Sequence, residues 1–600
     1  MEEYERTRDI FEYIPAYPKP PLIPLAAPDD LSEFFDNYIK SKKLAVHIIG
    51  AARFLTGFKK FQERLPESLE IYLRQTDTRT PGLFSPVISA TLALKDDPGK
   101  PDPLERAVSL LVASRNLRDD LYSGKFAPDF LNDQVLEMGE YPNLFSTSLI
   151  IDNKTVRIFK STIDTHIIAA FEGKFYYVNI CRDGNILPAN ELYASIKQII
   201  AKSGDEKADP GELSPGIITA ASDSIQIPAF RKLQKNRINY NTYKNFRHSF
   251  LTLCLDLKNH PSTDSEAAKL AHSGNYANRW YHSSLQIVVF GNAKACIICN
   301  FTTYIAGNTM ARACAEIQSR ATEYQSYGIT SPPISNPPVP LPLELTFNRK
   351  YVMRAKDELR RITNGQQATF EIMNMGKKFF AENNINSTSA FILILQMAAK
   401  KLTGKIIPIT QFLSLTRFRC MDLTTTVVTT PEVNSFTEYI FQEIIQKEKA
   451  RQLLYDAVDS QLRKCRKARE YLSLNFLLTM FLRTQNGTRR IYTTAVVLLS
   501  VILLKMFRLL RPQSLSYGII VSHPAIYTQI PVVGRPGIRL PYVKYFAMHY
   551  QIWEDRTVIT IMPSLKWEIP NEQIISELQK CFDMIKGVFT EEAYKSKAAS

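Results

Sequence analysis

An α/β architecture in two domains follows from three features of the sequence. Its 600 residues exceed the roughly 250–300 at which a single hydrophobic core stops growing. Strand-like runs alternate with helical ones along both halves. Between the halves, SPPISNPPVPLPLEL from Ser331 holds six prolines in fifteen residues, a density that neither a helix nor a central strand accommodates. Residues 331–342 therefore read as the linker between domains.

Taken in order, the elements support this division. YPKPPLIPLAAP from Tyr17 is stiff and proline-rich, and residues 29–76 have helical spacing. PLERAVSLLVASRNLRDDLY from Pro103 follows a DDPGKPD turn and carries the proline that favours a first helical turn. FSTSLI, TVRIFK, HIIAAFEG and KFYYVNI are β-branched and aromatic runs cut by Asp, Asn and Gly, the pattern of strands joined by hairpins. ELYASIKQIIAK is a helix, and SFLTLCLDL and LQIVVFGNAKACIICN return to strands. After the linker come two helices, KYVMRAKDELRRI and SAFILILQMAAKKL, the second stopped at Gly404. GKIIPITQF is strand-like, and the stretch from Glu432 to about Leu472 reads as one long helical region with an outward polar face. LSYGIIVS, VKYFAMHYQIW and RTVITIMPSLKW are strands, and NEQIISELQKCFDMIKGVF is a final helix.

Composition narrows the partners. The chain is 45% hydrophobic and 22% charged with a net charge of +15, which suits a soluble globular protein with an anionic partner. The densest basic run, QLRKCRKARE from Gln461, has aliphatic and acidic neighbours and reads as a solvated helix face. No zinc-finger spacing or aromatic-basic platform is present, so nucleic acid is not expected. Eight cysteines are scattered over the chain, as free thiols of a reducing compartment would be, and a cytoplasmic location is the default. Cys296 and Cys299 form a lone C-x-x-C inside an apolar run; buried thiols, not a metal site, are expected there. TTAVVLLSVILLKMFRLL from Thr493 is interrupted by Lys505 and falls short of the roughly 20 apolar residues that cross a bilayer. It reads as a buried helix, with peripheral membrane association the less favoured alternative.

Seven strings, met in order, carry a family resemblance: LFSTSLI from Leu144, HIIAAFEGKFYYVNI from His166, GIITAASD from Gly216, NRWYHSSLQIVVFGNAK from Asn278, LPLELTFN from Leu341, GKKF from Gly376 and LTGK from Leu402. Over nearly its whole length the chain resembles the carnitine/choline O-acyltransferases. The resemblance implies two chloramphenicol-acetyltransferase-like domains, each a mixed sheet covered by helices. A tunnel at their interface would admit CoA from one side and a hydroxyl acceptor from the other. It groups residues 1–85 with 343–600 and sets 86–342 apart as the first domain.

In that family a Glu-His-x-x-x-Asp motif follows a strand like LQIVVFGNAK. The histidine takes the proton of the attacking hydroxyl, a task suited to a pKa near neutrality, and the acid orients it. Here the matching stretch is IICNFTTYIAG. Phe301 stands at the base position, Ile305 at the acid position and Asn300 at the glutamate, and neither Phe301 nor Ile305 can accept a proton. Tyr304 is a poor base at an ordinary pKa near 10. His523 and His549, in strings resembling the family's Ser-Thr-Ser and Gly-Tyr-Gly-x-x-Tyr-Asn, are the candidates for a relocated base.

The resemblance also assigns binding positions, several of them altered. Lys377 and Lys378 match the lysine-rich CoA segment, with Ala381 and Thr388 where the family has Lys and Asp. In TQFLSLTRFR, Thr410 and Arg417 remain from the acceptor motif, while Gln411, Phe412, Leu413 and Arg419 depart from it. Ser522 retains one hydroxyl of the oxyanion-stabilising Ser-Thr-Ser, and Tyr550 and Gln551 approximate Tyr-Asn. CoA or acyl-CoA is thus the expected ligand or substrate, with no tightly bound cofactor and no metal. The acceptor is an unidentified small hydroxyl compound. Three readings stand: a family member lacking the usual His-dependent activity, an active acyltransferase with a relocated base, and a structural or protein-binding scaffold with a protein partner.

Overall fold

The computed structural model describes residues 12–24, 89–152, 155–203, 213–324, 329, 331, 333, 336–363, 368–471, 517–522, 532–534, 544–563 and 567–589. Two α/β units are present, each a mixed sheet flanked by helices and each with its own apolar core.

Seven strands of the first sheet come from the chain up to Pro342: β1 (Ser89–Ala93), β2 (His166–Phe171), β3 (Lys174–Asn179), β4 (Thr252–Asp256), β5 (Leu285–Phe290), β6 (Ala295–Asn300) and β7 (Leu341–Pro342). They lie in the order β7-β3-β2-β4-β5-β6-β1. β4 runs parallel to β2 and β5, and the other pairs are antiparallel. Every residue of β4, β5 and β6 is buried, which is why these strands read as continuous apolar runs instead of alternating ones. The β2–β3 turn places Glu172 and Gly173 at φ 50° and 77°, the left-handed pair that a two-residue hairpin needs. FSTSLI and TVRIFK form a separate hairpin, Thr147–Asp152 with Thr155–Lys160.

Helix α1 (Pro103–Ser123) starts where Asp102 accepts from the N–H of Leu104 and Glu105, at 2.6 and 3.1 Å. It ends at Gly124, left-handed at φ 74°. A Cβ at Gly124 would also come within 2.5 Å of the Ala16 side chain, so this glycine serves both the cap and the packing of the N-terminal segment. Replacing Asp102 with Ala is expected to cost about 1 kcal/mol, read as a lower urea midpoint. Helices α2 (Ala189–Ser203) and α3 (Gly307–Glu323) also flank the first sheet, α3 packing on α1.

The proline-rich segment does more than link. Leu341 and Pro342 pair with Tyr177 and Tyr176 at the sheet edge, where a proline's missing N–H is harmless. Helix α4 (Arg349–Thr363) then buries Val352, Ala355 and Leu359 in the first core, and Glu358 accepts from Ser222 N and Oγ. The packing therefore changes units after α4, beyond the expected boundary at 342/343. Residues 12–24, expected with the second domain, straddle both: Ile14 and Tyr17 enter the first core, while Arg419 donates to the carbonyls of Pro20 and Pro21. The rest of the 1–85 segment lies outside the described residues, as does the apolar run from Thr493.

The second sheet has the order β8-β14-β13-β11-β9-β10, built from β8 (Ala368–Met373), β9 (Ile409–Ser414), β10 (Leu423–Val427), β11 (Tyr517–Ser522), β13 (Lys544–Ile552) and β14 (Arg556–Pro563). Between β11 and β13, β12 (Val532–Gly534) leaves this sheet and pairs with β1, so that it closes the free edge of the first sheet. Helices α5 (Lys377–Glu382), α6 (Ser387–Thr403), α7 (Pro431–Tyr439), α8 (Lys447–Glu470) and α9 (Asn571–Phe589) belong to this unit. The single long helix expected from Glu432 onward is two. α7 and α8 pack on each other, which requires the chain to reverse between them, and residues 440–446 make that turn. Among the described residues no helix is long and apolar enough to cross a membrane.

Candidate functional site

At the end of β6 the chain makes one 3-10 turn, Phe301–Thr303, and Tyr304 turns left-handed at φ 62° before α3 begins. The Asn300 side chain at its start and two side chains of one distant segment, residues 140–143, fix this turn. Asn300 accepts from Thr302 N at 2.9 Å and donates to the Tyr281 carbonyl at 2.7 Å, and its own N–H reaches the Ser284 carbonyl. Asn143 donates to the Tyr304 carbonyl at 2.9 Å. The buried Glu140 accepts from Ala306 N at 2.6 Å and from Thr309 Oγ1 at 3.3 Å. Ala306 has no side chain with which to cap α3; Glu140, reaching in from outside, instead holds the N–H of Ala306 itself and the Thr309 hydroxyl at the start of the helix. Glu140→Ala is expected to lower stability by roughly 1–3 kcal/mol by leaving these donors without their acceptor, visible in denaturant unfolding.

This scaffold presents apolar groups. Phe301 is half-buried and rests on the first core, and Ile305 is wholly buried within it. The positions that the resemblance assigns to the base and the acid thus hold a ring and an aliphatic chain, in a turn tied down by the bonds above.

The second domain meets this region directly. Asn308, near the start of α3, donates to Ser414 Oγ at the end of β9. Gln134 donates to the Arg417 carbonyl at 3.1 Å, and Glu137 N donates to the Thr416 carbonyl. The Glu137 carboxylate gathers donors from three segments: Tyr13 Oη at 2.7 Å, Gly139 N at 2.6 Å and Cys420 N. Burial pushes its pKa up against the pull of these donors.

Strand alternation decides which binding candidates share a surface. Ile409 and Leu413 of β9, Val521 of β11, and Phe546, Met548, Tyr550 and Ile552 of β13 all enter the second core. Thr410, His549 and Gln551, at the intervening positions, lie on the opposite face, the face from which Ser414 reaches Asn308. Ser522 pairs in register with His549, and His549 with Thr560. Tyr550 is separated from them. It is buried with its ring stacked on Phe391 at 4.2 Å, and burial pushes its phenol pKa up. It packs the second core and offers no surface to an acceptor. Gln411, on that same core side, accepts from Cys465 Sγ.

His549 retains some exposed surface, but its Nδ1 is buried without a hydrogen-bond partner. Burial pushes its pKa down to about 4, so it is neutral at pH 7 and a weaker base than an ordinary histidine. His523 lies outside the described residues. Arg417 donates to the Arg469 carbonyl at 2.8 Å and lies over the Phe418 ring, a structural placement. Lys377 and Lys378 are exposed at the start of α5, their backbone N–H groups already given to the carbonyls of Trp553 and Glu554. Gly376 permits that contact, since a Cβ there would lie 2.3 Å from the Glu554 oxygen. The two exposed ammonium groups of this segment, not the N–H groups of Lys377 and Lys378, are what it could offer an anion.

Three of the other histidines among the described residues are structural. His166 meets the Asn245 carbonyl and stacks on Tyr177; His248 meets Ser161 Oγ, and His272 Thr91 Oγ1. All eight cysteines are free and buried, as expected for Cys296 and Cys299. Glu140, Glu137 and Tyr13 were not legible as partners of the site, because each acts across well over a hundred residues of chain.

Residues 69–479 match the family model described as Choline/Carnitine o-acyltransferase. The chain belongs to the choline/carnitine O-acyltransferase family. It is 23% identical over 391 residues to choline O-acetyltransferase of Homo sapiens, covering 61% of this chain and 51% of that protein. It is 22% identical over 448 residues to carnitine O-acetyltransferase of Homo sapiens, covering 68% of each. The matched region thus spans about half the length of the choline enzymes. Among solved structures, the first condensation domain of the CDA synthetase aligns over 88% of this chain and 96% of that one, at 8% identity and a TM-score of 0.36.

Proposed function

We propose that this chain is a family member without His-dependent acyl transfer, its fold kept as a binder of CoA or an acyl-CoA. One observation carries the reading: the turn that would present the general base presents Phe301, with Ile305 buried behind it. Attack of a hydroxyl on a thioester needs a proton acceptor within hydrogen-bond reach, and neither residue is one. Loss of the tyrosine, glutamate and serine around Thr410 points the same way for the acceptor. Lys377 and Lys378 would meet the CoA phosphates as point charges. The eight free thiols suit a reducing, cytoplasmic setting.

A second reading has its own support. His549 shares a sheet face with Thr410 and lies beside Ser522, so a relocated base there, serving a small hydroxyl acceptor, is the alternative. The third is a scaffold for a protein partner.

Calorimetric titration with CoA and acetyl-CoA, paired with a thiol-release assay using carnitine and choline, separates them. The expected outcome is saturable binding, weakened about tenfold or more in Lys377→Glu/Lys378→Glu, as the loss of roughly 1.4 kcal/mol would give, with no thiol release above buffer. Release abolished by His549→Ala or His523→Ala would overturn the reading in favour of a relocated base. Absence of both binding and release would favour the scaffold.

A further inference from the structure

One corner of the first domain gathers cations around an exposed aliphatic side chain. Helix Asp223–Leu233 passes to helix Arg237–Arg247 through a short turn. Asn236 fixes that passage, its Oδ1 accepting from Ile238 N at 2.9 Å and from Asn239 N at 3.1 Å. Tyr243 and Phe246 of the second helix enter the core, whereas Ile238 is 76% exposed. Lys232, Lys235 and Arg237, all exposed, come just before it in the chain. α4 brings two more cations, because it packs on helix Asp223–Leu233 in the opposite direction. Phe347, just before α4, meets Phe230 near the end of that helix, and Glu358, late in α4, meets Ser222 at its start. Thr346 and Asn239 exchange two hydrogen bonds, at 3.3 and 3.4 Å. The exposed Lys350 and Arg354 therefore stand on the half of α4 beside the corner, and the acids Asp357 and Glu358 stand towards its far end. Glu344 is an exposed acid near the corner itself.

The fold itself does not call for this arrangement. Arg237 and Lys350 occupy the first turns of their helices, where the macrodipole disfavours cations. None of the five cations forms an ion pair with an acid among the described residues. Among the described residues of the three helices, Ile238 is the one large apolar side chain that is exposed. A stable protein interface centres on a cluster of apolar and aromatic anchors, and single-stranded nucleic acid is held on aromatic platforms; this corner offers neither. A protruding aliphatic group framed by lysine and arginine is instead the composition of an interfacial anchor. We propose that the corner docks on a bilayer surface rich in anionic lipid, with Ile238 at the boundary between headgroups and acyl chains and the five cations against the headgroups. The proposal does not depend on the chain's activity toward thioesters or on CoA binding.

The test is co-sedimentation of the full chain with vesicles of phosphatidylcholine and phosphatidylserine in comparable amounts, against vesicles of phosphatidylcholine alone. Binding is expected to the mixed vesicles, weakening as salt is raised, with little to phosphatidylcholine. Each cation near an anionic leaflet contributes roughly fivefold to binding, so Lys232→Glu/Lys235→Glu should lose about tenfold or more. Ile238→Ser should lose several-fold with the charge unchanged, and free phosphoserine at the same headgroup concentration should not displace the protein. Absence of sedimentation with the mixed vesicles at low salt would overturn the proposal. So would binding that both variants leave unchanged, which would move the contact to another part of the chain. Binding lost on charge reversal but untouched by Ile238→Ser, or displaced by phosphoserine, would also overturn it, since an acidic protein or a free anion would behave in that way.

Discussion

Asp256→Ala is expected to destabilise the first domain by about 3–5 kcal/mol, the usual cost of leaving one partner of a buried ion pair uncompensated. Arg279 is completely buried and pairs with Asp256 through both nitrogens, Nη2 to Oδ2 at 2.7 Å and Nη1 to Oδ1 at 3.0 Å, while its Nε donates to the Ala271 carbonyl. Burial, the largest single effect, lowers the guanidinium pKa; the charge and hydrogen bonds of Asp256, with smaller contributions from Cys254 and Tyr281, together outweigh it and the net shift is upward. Asn278 adds a bond to the same carboxylate at 2.7 Å. The pair anchors NRWYHSS, whose Tyr281 and Ser284 carbonyls hold Asn300, so loss of Asp256 should loosen the turn that carries Phe301 as well as the core. Urea unfolding followed by tryptophan fluorescence reads the effect through Trp280, wholly buried beside Arg279. The double variant Asp256→Leu/Arg279→Met should lose less than Asp256→Ala, because an apolar pair leaves no charge behind. A loss below about 1 kcal/mol in Asp256→Ala would mean that water or a rearranged partner compensates Arg279, against the placement described.

The strands were legible because their chemistry is local. Thr252–Asp256, Leu285–Phe290 and Ala295–Asn300 are β-rich runs with turn residues between them, and burial on both faces makes them continuous. What escaped the sequence depends on contacts between distant segments. Val532–Gly534 is too short to announce a strand, and nothing in three residues says that they will pair with Thr91 and its neighbours in the other domain. The reversal between Tyr439 and Lys447 is set by the packing of two helices on each other, while the local polarity continues smoothly through it. α4 carries a good amphipathic pattern, but a pattern gives a face and not the core that face will meet.

At the site, the identities at 301 and 305 followed from the resemblance, and their surroundings did not. Glu140 lies in MGEYPN, where an acid looks like an ordinary loop residue; its bonds to Ala306 N and Thr309 Oγ1 at the start of α3 exist only after folding. Conversely, Tyr550 and Gln551 are adjacent in sequence and were grouped together. Alternation puts them on opposite faces of β13, Tyr550 in the core with Phe391 and Gln551 with His549. A register rule was available to separate them, had the strand's buried face been known.

Acid should unfold the first domain steeply, and His282 is the group expected to dominate. Its Nε2 lies 2.7 Å from Gln226 Oε1. The orientation of that amide is fixed, because Gln226 Nε2 donates to the carbonyls of Thr219 and Ala221. The imidazole proton must therefore sit on Nε2, leaving Nδ1 buried and unpartnered. A second proton could enter only at Nδ1, as a buried charge with no acceptor, between Phe230 and Trp280. Burial accordingly pushes the pKa down to about 3. In the unfolded chain the same ring titrates near 6.5. Above that value both states are neutral and the folded state keeps its full stability; as pH falls below it, only the unfolded chain takes up the proton. Stability attributable to His282 is lost progressively from about pH 6.5 towards 3, a total on the order of 5 kcal/mol. His166, pushed down to about 4 by burial, adds to the same limb. Urea midpoints measured between pH 8 and 4 should fall steeply for the wild type. His282→Phe, which fits between the same rings, should start lower at pH 8 because Gln226 loses its donor, and should then decline with a shallower slope. Parallel curves for the two proteins would place the acid sensitivity elsewhere and remove His282 as its source.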